Sequence, residues 1–85
     1  MITKSNIETA YCFFHQKLQV YAYSTLEWQR DDIELAIADY VSQMDKELYT
    51  WLAADRADFL LNHDLFQQDL EHAVEALEAE VINKI

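Results

Sequence analysis

The chain has 85 residues, no Gly, no Pro and one Cys, and sixteen acidic residues against six Lys and Arg set its formal charge at −10. Without Gly, tight hairpin turns lose their usual positive-φ residue and glycine-rich phosphate loops are excluded, which disfavours all-β folds and nucleotide-loop enzymes. A composition of 52% hydrophobic and 13% aromatic residues opposes disorder despite the charge.

In chain order, Ser5 and Glu8 have capping-box spacing and predict a helix start. Ile7, Tyr11, Phe14, Leu18 and Tyr21 follow at steps of four, three, four and three, which is one helical face. Phe13, Val20 and Tyr23 are apolar and lie off that stripe, as in a helix that is central or faces a partner. Ser24 to Arg30 read equally as a continuation or a kink. Asp31 and Glu34 offer a second capping box before a periodic run of Ile33, Ile37, Tyr40 with Val41, and Met44. Asp45 is placed to cap a short third helix containing Leu48, Trp51 and Leu52. Asp55 opens a further turn carrying Phe59 and Leu60. Asn62-His63-Asp64 reads as a loop, with Asp64 as the next cap. Leu70, Val74, Leu77, Val81 and Ile85, extended backwards by Phe66 and Leu65, then mark a long amphipathic C-terminal helix. The expectation is an all-α fold: one helical domain over residues 1–85, a compact bundle of about four helices. In it the last helix packs on the aromatic first one.

Charge is uneven along the chain. Residues 1–30 hold Lys4, Lys17 and Arg30 against Glu8 and Glu27, a sum of +1. Residues 31–85 hold fourteen acids against Lys46, Arg56 and Lys84, a sum of −11. Phosphate contacts need Lys or Arg, so direct nucleic-acid binding is disfavoured. No window of 18 apolar residues suits a bilayer crossing. Polar and charged residues at Glu8, His15, Gln16 and Lys17 interrupt any signal-peptide core, and the lone Cys12 has no intrachain partner. A cytoplasmic location is expected.

Three constellations could carry chemistry. Cys12 and His15 are helical neighbours, but half a zinc site without a second pair at ligand spacing, so a buried thiol among Tyr11, Phe13 and Phe14 is expected. Asp69, His72 and Glu75 have the i, i+3, i+6 spacing of helical metal sites. Glu34 and Asp39 are candidate partners that nothing in their spacing singles out, so Asp69 and Glu75 are read as a solvated face. His63-Asp64 could orient an imidazole, but no elbow or oxyanion motif accompanies it, and a capping loop is expected. The sequence therefore points to no enzyme, no cofactor and no metal.

Tyr and Trp are favoured at protein interfaces because they bury much area with few rotors. The leading expectation is a non-catalytic protein–protein interaction module using Tyr21, Tyr23 and Trp28, with self-association as a homodimer expected. The alternative is an acidic mimic of nucleic acid that occupies a basic groove of another protein through Asp31, Asp32 and Asp39.

Overall fold

The computed structural model describes residues 3–83. Helix α1 spans Lys4–Tyr23, α2 Glu27–Gln43, α3 Lys46–Ala53 and α4 Phe66–Asn83, with a 3-10 turn at His63–Leu65 leading into α4. No strand occurs among the described residues. The main interface is α1 against α4, the two longest helices. The radius of gyration, 12.4 Å, is close to the ~11.9 Å expected for 85 residues in a compact domain. No described helix is long and apolar enough to cross a membrane.

The stripe of α1 holds with its centre turned toward Ala10. Ile7, Ala10, Phe14 and Tyr21 are buried, while Tyr11 and Leu18 are half-buried at its edge. Facing them are Phe66, Leu70, Ala73, Val74 and Leu77 of α4. Ile33 and Ile37 of α2, Leu48 and Leu52 of α3, and Phe59 and Leu60 of the following loop close the core. Phe13, off the stripe, stacks on Tyr40 at 4.0 Å between ring centroids, which ties α1 to α2. Ile85, expected to end the apolar face of α4, lies outside the described residues.

Helix starts depart from the sequence reading at three of four places. Thr3, not Ser5, caps α1, because its hydroxyl accepts from the Asn6 N–H at 3.1 Å. Ser5 is already inside the first turn, and Glu8 pairs instead with Lys4. The chain breaks at Ser24, and α2 starts at Glu27, one turn before the Asp31/Glu34 box. That box therefore falls inside the helix, where its carboxylates are free for other contacts. Asp64 does not cap α4. Asn62 accepts from the Asp64 N–H at 3.0 Å and starts the 3-10 turn. Only Asp45 caps as expected, accepting from the Leu48 N–H at 3.1 Å. That bond favours the charged form and lowers its carboxyl pKa.

A further correction concerns Asp69, expected on a solvated face. It is buried, at 2% exposure. One carboxylate oxygen accepts from the Leu60 N–H at 3.1 Å and the other pairs with the Arg56 guanidinium. Leu60 sits at φ 62°, a left-handed conformation that is costly for a bulky L-residue. Its N–H is thereby turned inward, and Asp69 supplies the acceptor this buried donor requires. The carboxylate is a clamp on the α3–α4 loop.

Candidate functional site

The break between α1 and α2 places the C-terminal end of α1, the first turns of α2 and the 3-10 turn before α4 side by side. Tyr21 enters from α1 with its ring in the core, 3% exposed, and 5.2 Å from the Phe66 ring. Its hydroxyl donates to Glu34 Oε2 at 3.2 Å. Burial first, and the Glu34 charge second, raise the Tyr21 pKa, so the phenol stays protonated as the donor. On the other side of Glu34, His63 Nδ1 lies 2.9 and 3.0 Å from the two carboxylate oxygens. An ionised carboxylate only accepts, so Nδ1 carries the proton. The bond to Glu34 and its charge raise the His63 pKa, although the imidazole itself is exposed.

Arg30 borders the same place. Its Nε donates to the Ser24 carbonyl at 3.1 Å, and its guanidinium lies 4.8 Å from the Tyr21 ring centroid. The bond satisfies a carbonyl left open where α1 ends, so Arg30 braces the corner. An open cleft of about 740 Å³ runs beside Tyr21, Arg30 and His63, with Ser24, Thr25 and Gln67 also at its wall. Asp31, one turn before Glu34 on α2, brings a third potential ligand close. One potential donor atom from each of Asp31, Glu34 and His63 lies within 4.8 Å of the other two.

This cluster was not legible in the sequence. His63 takes its carboxylate from Glu34, 29 residues away, and not from the adjacent Asp64. No periodicity connects Tyr21, Glu34 and His63, which meet only because the α1–α2 corner folds back onto the start of α4. The other constellations do not assemble. Cys12 is exposed, contrary to the buried thiol expected, and His15 stacks on Tyr11 at 5.4 Å. Asp69 is occupied by Arg56 and Leu60, His72 meets the Phe59 ring edge-on, and Glu75 is exposed.

Of the aromatic residues expected at a partner surface, Tyr21 lies in the core, with its ring against Phe66 and its hydroxyl on Glu34. Tyr23 and Trp28 are 85% and 61% exposed. Val20 and Leu26, also exposed, flank them at the α1–α2 corner. Asp31, Asp32 and Asp39 are all exposed along α2, and Asp39 accepts from Gln43 one turn on.

No protein-family model, curated protein or solved structure matches the chain.

Proposed function

We propose that this protein is a cytoplasmic, non-catalytic interaction module that docks through the α1–α2 corner, with a second copy of itself as occupant. One observation carries the reading: Tyr23 and Trp28 stand out of the fold beside exposed Val20 and Leu26. Rings left in water at one corner forgo burial that a small domain could use, and grouped exposed apolar side chains mark contact sites. Charge favours this corner over the rest of the surface for self-association. Residues 1–30 sum to +1 and the remainder to −11, so two copies repel each other less through the α1 side of this corner than through the rest of the surface. A specific contact needs roughly 800 Å² from each partner, about one-seventh of the 5513 Å² available. The shared patch would form a twofold contact.

Sedimentation at micromolar concentration in moderate salt tests this. The expected species has about twice the 10.0 kDa chain mass. It dissociates in Tyr23→Glu and Trp28→Glu while the helical circular dichroism persists. A 10-kDa species at every concentration overturns the self-docking reading. A second reading, a nucleic-acid mimic, draws on the exposure of Asp31, Asp32 and Asp39. It predicts that the triple Asn variant loses binding to a basic nucleic-acid-binding protein, that DNA competes, and that salt weakens the complex.

A further inference from the structure

We propose that Asp31, Glu34 and His63 form a binding site for one divalent transition-metal ion of the zinc class. The inference is independent of the docking corner and goes beyond it.

Three donors of two chemical types converge from separate parts of the chain. Asp31 and Glu34 are three residues apart on α2, which puts both carboxylates on one face of that helix. The imidazole comes from the 3-10 turn before α4. Their donor atoms already lie within 4.8 Å of one another, and His63 Nδ1 is within 3.0 Å of both oxygens of Glu34. Zinc–ligand bonds of about 2.0–2.2 Å require donor separations of roughly 3.4 Å in a tetrahedron. An edge at the 4.8 Å limit thus has to contract by about 1.4 Å. Glu34 and His63 already hold each other, and Asp31, exposed on the same face of α2, is the member that has to turn toward them.

Glu34 is fixed by the Tyr21 hydroxyl, which reaches it from a ring buried in the core. A ligand carboxylate oriented by an outer hydrogen bond is the usual support of a metal site. His63 borders one open cleft, and Asp31 and Glu34 border another of about 380 Å³, so water can reach the ligands from either side and complete the coordination. Two carboxylates and one imidazole match a 2+ ion in charge. The imidazole nitrogen selects zinc, cobalt or nickel over magnesium or calcium, which prefer oxygen alone. Binding at Nδ1 requires a neutral imidazole with its remaining proton on Nε2, so it is opposed by acid.

Titration calorimetry of chelator-treated protein with ZnCl₂ at pH 7.5 tests the site, with Co²⁺ absorption as a second readout. The expected result is one ion per chain, with affinity falling at least tenfold in His63→Ala, Glu34→Gln and Asp31→Asn. A Co²⁺ ligand-field spectrum should be lost in His63→Ala. His15→Ala and His72→Ala, which change the other two histidines, should bind as wild type. Circular dichroism establishes that each variant is folded. Tyr21→Phe, which keeps the buried ring, should weaken binding by less than the ligand variants do. Absence of stoichiometric binding overturns the proposal. So does binding that survives His63→Ala, or equal binding of Mg²⁺, which would mean only an acidic surface attracting cations.

Discussion

Replacing Asp69 by Ala would remove the acceptor that holds the α3–α4 loop to α4. The carboxylate is 2% exposed and binds the Leu60 N–H at 3.1 Å. A hydrogen bond to a charged group contributes about 1.5–3 kcal/mol, and a buried donor left without an acceptor costs a similar amount. Arg56 is partly exposed, so its pairing with Asp69 adds less than this bond does. The expected loss is about 2–3 kcal/mol. An unfolding entropy of about 2.1 cal/mol/K per residue gives roughly 180 cal/mol/K here, so the melting temperature should fall by about 11–17 °C. Asp69→Asn keeps a carbonyl acceptor for Leu60 and should lose less than Ala. Glu75→Ala, exposed on the same helix, should stay within about 0.5 kcal/mol of wild type. Thermal unfolding followed by circular dichroism measures all three. If Asp69→Ala melts within a few degrees of Glu75→Ala, the clamp is refuted and Asp69 belongs to the solvated face after all.

Two other predictions use the backbone and the α3 cap. Ala54 ends α3 in a left-handed conformation, φ 50° and ψ 49°, with its side chain exposed. Relief of about 1–2 kcal/mol of steric cost, less the extra unfolded-state freedom of Gly, makes Ala54→Gly stabilising by about 0.5–1 kcal/mol, or roughly 3–6 °C; an unchanged or lower melting temperature would count against it. Asp45 has its pKa held below 3.8 by the Leu48 N–H. Its stabilising contribution is present above the unfolded value and fades as pH falls through the folded one. The stability difference between wild type and Asp45→Asn, whose amide caps without titrating, should therefore be flat above about pH 5 and shrink below about pH 4. A difference independent of pH from 5 to 2 would refute the charged cap.

Elements and their inward faces were largely legible in the sequence, because a helical face is a local, periodic property. Ile7, Phe14 and Tyr21 of α1, Ile33 and Ile37 of α2, and Leu70, Val74 and Leu77 of α4 lie at the spacing a helix needs to bury one side. The cap of α3 was legible for the same reason, since Asp45 and the N–H it binds are three residues apart. Absence of Gly argued correctly against hairpins, yet Ala54, Asp55 and Leu60 adopt positive φ without it. Tertiary contacts hold such a residue in place: Leu60 has a buried side chain and an N–H taken by a carboxylate nine residues on. The same distinction explains Asp69 and Tyr21. Periodicity put the first on the polar side of α4, and only the returning loop brought a buried donor and Arg56 to it. Composition suggested an interface role for the second, and only packing against Phe66 turned its ring inward while leaving its hydroxyl on Glu34. The Asp31–Glu34–His63 cluster joins residues 29 positions apart, so the fold had to form before these side chains could meet.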